Sequence, residues 1–139
     1  MNIMQIENGI MNITQKDREL LFKDLSARLP YHVRVKVWLK DGTTEKSVLD
    51  LEHNYADVLR DAFYYNKIVD IKPYLRSLSN MTEEERQILE EYDEYIEPYS
   101  IQLKIDFYNK YHFDYRGLIE KDLAIEDTKE NNPHNYGTK

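Results

Sequence analysis

Val33-Arg34-Val35-Lys36-Val37-Trp38-Leu39 alternates an aliphatic side chain with a charged or aromatic one at every step. A strand projects successive side chains to opposite faces, so this period of two predicts a half-buried strand with its valines turned inward. Three of the four inward residues are β-branched, which suits a pleated, packed surface. Asp41-Gly42 follows at once with the chemistry of a tight turn, and Thr43 to Leu51 is expected to return as the second strand of a hairpin. The return is less regular, because Val48, Leu49 and Leu51 break the alternation. Ile68, Val69 and Ile71 are expected to form a third strand that ends at Pro73. The expected sheet is small and antiparallel, built from about residues 31–52 and 67–72.

Outward from the sheet the period changes to that of helices. Thr14 reads as an N-cap with Asp17 three residues on, and Leu21, Phe22, Leu25 and Leu29 form one apolar stripe that Pro30 closes, giving a helix over 14–29. Asn54 caps a short helical pattern made by Tyr55, Val58, Leu59, Ala62 and Phe63. After a polar break at 77–81, Thr82 and Glu85 make a capping box, and Glu83 to Glu85 stand where the helix dipole favours carboxylates. Ile88, Leu89, Tyr92, Tyr95 and Ile96 are the expected buried stripe of this helix, with Pro98 as its end. From Ser100 two patterns compete. Ile101, Leu103, Ile105 and Phe107 alternate like a strand, whereas Ile101, Ile105, Tyr108 and Tyr111-His112 fit a helix; length and the polar spacing beyond Phe107 favour the helix. The expected fold is α+β: an N-terminal helix, a small antiparallel sheet, then two or three packed C-terminal helices. Residues 13–127 are expected to form one domain, with 1–12 a flexible extension and 128–139 a frayed tail.

Composition narrows the chemistry. The 139 residues include no cysteine, which removes disulfides, thiolate metal sites and cysteine nucleophiles together. Met1 to Ile10 carries Glu7 and has neither a basic start nor an apolar block, so it does not read as a signal peptide, and no run approaches the ~18 apolar residues of a membrane span. Met-Asn-Ile at 1–3 recurs at 11–13, which makes Met11 an alternative start. The cytoplasm is the expected location, with no membrane partner. The net charge of −7 is uneven: residues 1–76 hold 12 basic and 11 acidic side chains, residues 77–139 hold 7 and 15. The bland account is two exposed, glutamate-rich helices; the other is an acidic interaction face. No basic stripe is visible along the chain, so no nucleic-acid partner is expected.

Three segments taken in order, Leu25-Ser26-Ala27-Arg28-Leu29-Pro30-Tyr31, then Ile71-Lys72-Pro73-Tyr74-Leu75-Arg76 with Ser79-Asn80-Met81-Thr82-Glu83-Glu84-Glu85, then His112-Phe113-Asp114-Tyr115-Arg116-Gly117-Leu118-Ile119, resemble a widespread uncharacterised family of small proteins from Bacteroidetes genomes, often in prophages and other mobile elements. The similarity covers about residues 14–127, and Leu123-Ala124-Ile125 follows the last motif as a similar run does in the family. Between 41 and 69 the chain departs from the family, where length and sequence vary widely. The resemblance implies a small accessory protein of a bacterium or its phage. It carries no activity and no catalytic role for any residue.

The residues themselves suggest no catalytic, cofactor-binding or metal-binding site, and the chain is not expected to be an enzyme. His32, His53, His112 and His134 share no metal-ligand spacing, and phosphate-cradling glycine loops and nucleophile elbows are absent. Phe113, Asp114, Arg116, Gly117, Leu118 and Ile119 read as a structural corner: apolar anchors, a glycine suited to positive φ, and Asp114 able to cap the next turn and pair with Arg116. Twelve tyrosines against four phenylalanines is unusual. Tyr92, Tyr95 and Tyr99 lie at i, i+3 and i+7, and Tyr108, Tyr111 and Tyr115 repeat that spacing. Phenols at a core margin are one reading; a tyrosine-rich protein interface, for a protein partner or a homo-oligomer, is the functional one. The favoured function is therefore non-catalytic protein–protein interaction. Alternatives are an acidic nucleic-acid mimic that inhibits a defence system, an enzyme with a non-local site around His112, Asp114 and Arg116, and a small nucleic-acid-binding module using Arg34, Lys36 and Lys40.

Overall fold

The computed structural model describes residues 13–50 and 68–128. Helix α1 spans Gln15–Arg28, and the Thr14 hydroxyl accepts from the Asp17 amide at 3.0 Å, satisfying one of the donors a helix start leaves open. Pro30 sits inside a 3₁₀ turn, Leu29–Tyr31, that ends on His32 in the left-handed region (φ 59°) and feeds strand β1, Val33–Leu39. The Asp41 side chain stabilises the hairpin turn. Its carboxylate accepts from the Thr43 hydroxyl at 2.6 Å and the Thr43 amide at 2.9 Å, and these bonds hold its pKa below the usual carboxylate value. Gly42 supplies the positive φ of 89°.

Strand β2, Thr44–Leu49, pairs antiparallel with β1, and β3, Ile68–Leu75, pairs antiparallel along the other side of β1. The sheet is antiparallel through these three strands, as expected from the sequence. A short parallel strand β4, Ile125–Glu126, extends it to the order β2-β1-β3-β4, which makes the sheet mixed. Two strand ends differ from expectation. β2 stops at Leu49, while β3 runs through Pro73 to Leu75. Pro73 is tolerated because β4 joins only at Tyr74, so its missing N–H falls where the outer ladder has not begun.

Val33, Val35, Val37, Leu49, Ile68, Ile71 and Leu75 line one face of the sheet and form a single core with Leu21, Leu25 and Leu29 of α1 and with Leu118, Leu123 and Ala124. The valine alternation therefore positions α1 on the sheet. Helix α2 spans Glu83–Tyr92 behind the Thr82–Glu85 capping box, and helix α3 spans Tyr99–Lys110, so the ambiguous stretch 101–107 is helical.

Helix α2 ends at Tyr92, six residues before Pro98, and this corrects the expected stripe. Its last turn carries Glu90 and Glu91 with no basic residue, where the dipole disfavours carboxylates, and Pro98 holds its predecessor out of helical geometry. Ile88, Leu89 and Tyr92 are half-buried, while Tyr95 and Ile96 lie on the connection and are 52% and 82% exposed. The helix expected over 54–63 lies outside the described residues, as do 1–12 and most of the expected tail.

Candidate functional site

The motif from Phe113 to Ile119 is built around charges taken out of water. Arg28, in the last turn of α1, is fully buried, and so is Asp24 one turn before it. The Arg28 Nε donates to Asp24 Oδ2 at 2.9 Å, and Nη2 donates to Asp24 Oδ1 at 3.1 Å and to the Phe113 carbonyl at 2.6 Å. Arg116 completes the group, its Nη1 donating to Asp24 Oδ1 at 2.8 Å. Two guanidiniums thus share one carboxylate, and a backbone carbonyl 85 positions from Arg28 is bonded into the same cluster. Buried charge is tolerated when paired and hydrogen-bonded in this way. Asp114 takes another role: its two oxygens accept from the amides of Leu118 and Ile119, both at 2.9 Å, capping the next turn. The expected Asp114–Arg116 pair is therefore replaced by Arg116–Asp24. Gly117 adopts φ 78° between them.

A second tie comes from Arg76 at the end of β3. Its backbone amide donates to the His112 carbonyl at 2.7 Å, and its carbonyl accepts from the Asp114 amide at 2.9 Å. Its guanidinium lies 4.1 Å from the centre of the Phe113 ring and forks onto Glu85 at 2.8 and 2.7 Å. Burial alone would raise the Glu85 carboxyl, but the Arg76 bonds and the Thr82 amide outweigh it and hold the pKa below the usual value. The capping residue of α2 is thus bonded to the sheet.

These bonds decide what the corner can do chemically. His112 is buried with a left-handed backbone (φ 62°), Asp114 is occupied by amides and Arg116 by Asp24. A cleft of about 170 Å³ does exist, but it is lined by Tyr31, Ile88, Tyr92, Leu103, Asp106, Phe107, Lys110 and Tyr111. The three residues of the non-local enzyme alternative do not line it. Among the described residues no group of three or more His, Asp or Glu side chains could hold a metal.

The six tyrosines divide into two environments. Tyr108 stacks on Tyr115 at 5.4 Å, Tyr115 donates its hydroxyl to Asn109 Oδ1 at 2.9 Å, and Arg116 lies 4.5 Å from the Tyr115 ring centre. Tyr111 packs 4.8 Å from buried Phe107, and Tyr92 meets the same ring edge-on at 6.3 Å. These four are half-buried margins of an aromatic cluster. Tyr95 and Tyr99 are different. Tyr95 on the α2–α3 connection and Tyr99 at the start of α3 meet edge-to-face at 5.5 Å, 52% and 55% exposed, and Ile96 and Ile101 are 82% and 48% exposed. Glu90, Glu91 and Glu94 are exposed around this tip, whereas Asp93 is bonded to Lys104.

Sequence reasoning missed Asp24 and Arg28. Their i, i+4 spacing on a helix is the usual surface ion pair, and only two flanking leucines, Leu25 and Leu29, hinted that this face points inward. No protein-family model matches the chain, and no curated protein or solved structure matches it either.

Proposed function

We propose that this chain is a non-catalytic interaction protein that docks a protein partner on the tip of the α2–α3 hairpin. The observation that carries the reading is that Tyr95, Ile96 and Tyr99 are exposed within five residues at the entry to α3, with Tyr95 and Tyr99 in ring contact and Ile101 exposed two residues further along that helix. Isolated surface hydrophobes are ordinary, but adjoining aromatic and aliphatic side chains inside a polar rim are the composition of an interface centre. The rim here is acidic, since residues 82–99 hold eight carboxylates against one arginine. The fitting partner presents an apolar pocket bordered by lysines and arginines, and the charges favour encounter more than final affinity. The accessory role in a bacterium or its phage, with the cytoplasm as its setting, belongs to the same proposal. It accords with the absence, among the described residues, of any helix long and apolar enough to cross a membrane.

The test replaces the tip without touching the core. Ile96→Glu and Tyr99→Glu together are expected to leave the melting temperature within about 2 °C, because both side chains are exposed. The same change is expected to cost at least about 2 kcal/mol of binding, roughly 30-fold in Kd, to any protein that the wild type captures from its host. Sedimentation of both proteins checks whether that partner is a second copy. Equal capture by the two proteins places the interface elsewhere.

A further inference from the structure

Strand register reveals a feature that sequence order conceals. Lys36 on β1 stands opposite Lys46 on β2 and opposite Lys72 on β3, so three lysines occupy one row across the sheet. They share the face away from the valine core, because side chains alternate along β1. The neighbouring rows on that face contain Arg34 on one side and Trp38 on the other. Lys36 and Lys72 approach the Trp38 ring at 5.1 and 5.8 Å, and Lys46 approaches Tyr74 at 5.9 Å. Like charges directly opposite one another destabilise a sheet. Among the described residues Lys72 has a carboxylate partner, Asp122 at 3.0 Å, and Lys36 and Lys46 make no ion pair. Asp70, opposite Trp38, is an acidic group on this face.

We propose that this face binds a single-stranded nucleic acid, with its phosphates on the Lys46–Lys36–Lys72 row and a base against Trp38. Strands lie about 4.8 Å apart, so the row spans about 10 Å, a length that follows consecutive phosphates of a flexible strand. An indole beside a basic row supplies the flat surface on which any base stacks. Along this face Arg34 and Lys46 are exposed, while Lys36, Trp38 and Lys72 are half-buried. Tyr74, two residues beyond Lys72 on β3, is buried. The net charge of −7 does not cancel this row. Eight of the chain's 26 carboxylates lie on α2 and the hairpin tip, and exposed charges are largely screened beyond about 8 Å at physiological salt. This site stands apart from the hairpin tip, and neither proposal depends on the other.

Trp38 is the only tryptophan in the chain, so its fluorescence reports on the site directly. The full chain is titrated with an oligo-dT of about 12 nucleotides and with its RNA counterpart. Inorganic polyphosphate and poly-glutamate of matched charge are the controls. Quenching by the oligonucleotide is expected, with log K falling against log salt at a slope near −2, as three phosphate contacts on a single strand require. Lys36→Glu with Lys46→Glu is expected to weaken binding at least about 30-fold. Anisotropy of labelled strand is expected to show about a tenfold loss for Trp38→Ala and recovery in Trp38→Phe, with melting curves confirming that each variant is folded. Equal affinity for polyphosphate or poly-glutamate with no dependence on residue 38 would overturn the nucleic-acid assignment. So would the absence of binding by the wild type at about 50 mM salt.

Discussion

At the scale of single residues, Asp24 joins α1 to the corner after α3, accepting three hydrogen bonds from two guanidiniums. It is the shared acceptor for Arg28 and Arg116, and both it and Arg28 are fully buried. Truncating Asp24 leaves two cations facing each other with no counter-charge, and breaking a buried pair from one side costs about 3–5 kcal/mol. Asp24→Ala is therefore expected to lower stability by about that amount in urea unfolding, a large part of what a domain of this size possesses. Asp24→Asn keeps one acceptor and is expected to lose less. Arg116→Ala is the informative contrast. Its guanidinium is partly exposed, so its removal leaves the Asp24–Arg28 pair intact and is expected to cost under half of the Asp24→Ala loss. If Asp24→Ala unfolds at the same urea concentration as wild type, the cluster contributes no stability. The corner residues Phe113, Gly117 and Leu118 were readable in advance because anchors and a positive-φ glycine are local signals. Their partner on α1 was not, because nothing in a linear pattern joins position 24 to position 116.

At the scale of elements, α2 has ten residues and no fully buried side chain. Helices this short are marginal in water, so its order depends on its start. Glu85 serves twice there, as the capping residue that accepts the Thr82 amide at 2.9 Å and as the acceptor of the Arg76 fork. Replacing Glu85 with Gln preserves the cap's hydrogen-bonding ability but removes the charge that Arg76 meets. The expected outcome is faster amide hydrogen exchange through α2 and the hairpin tip, with the α1–sheet core unchanged; uniform exchange across both regions would mean that α2 is held by other contacts. The capping box itself was legible because its two residues sit three apart. The length of the helix was not, since Tyr95 and Ile96 continue the apolar period past the point where carboxylates and Pro98 stop the backbone. A period shows which side chains would share a face if the helix continued. It contains no information about the cost of continuing.

At the scale of the whole molecule, the same contrast between local and distant signals governs the sheet. Of its three antiparallel strands β1 was visible as alternation, β2 through the turn chemistry of Asp41-Gly42, and β3 as a short β-branched run ending near a proline. The parallel strand β4 was hidden because two residues are too few to show a period, and the lysine row was hidden because Lys36, Lys46 and Lys72 become neighbours only through register. A carboxyl beside β4 also contributes to how the protein answers to pH. Asp127, immediately after β4, donates its amide to the Leu75 carbonyl at 2.7 Å, while its carboxyl is buried, with no hydrogen-bond partner for Oδ2 among the described residues. Burial raises the Asp127 pKa, against a smaller opposing pull from Arg76, and burial likewise raises Asp70. A carboxyl raised on folding favours the native state most at pH below its unfolded value near 3.8, and this contribution disappears as pH climbs through the folded value. Glu85 has the opposite sign. Held below its ordinary 4.5, it stabilises at neutral pH, and that contribution is lost as pH falls through its folded value. Removing the Asp127 charge should consequently stabilise the protein where the carboxyl is ionised. Asp127→Asn is expected to melt higher than wild type at pH 7, and the gap should close as pH drops toward 4. Glu85→Gln should behave inversely, melting lower at pH 7 and converging with wild type in acid. Melting curves of the three proteins between these limits separate the two effects. An Asp127→Asn protein that melts lower than wild type at pH 7 would mean that its carboxylate holds β4 in place through Arg76, and that attraction rather than burial decides its contribution.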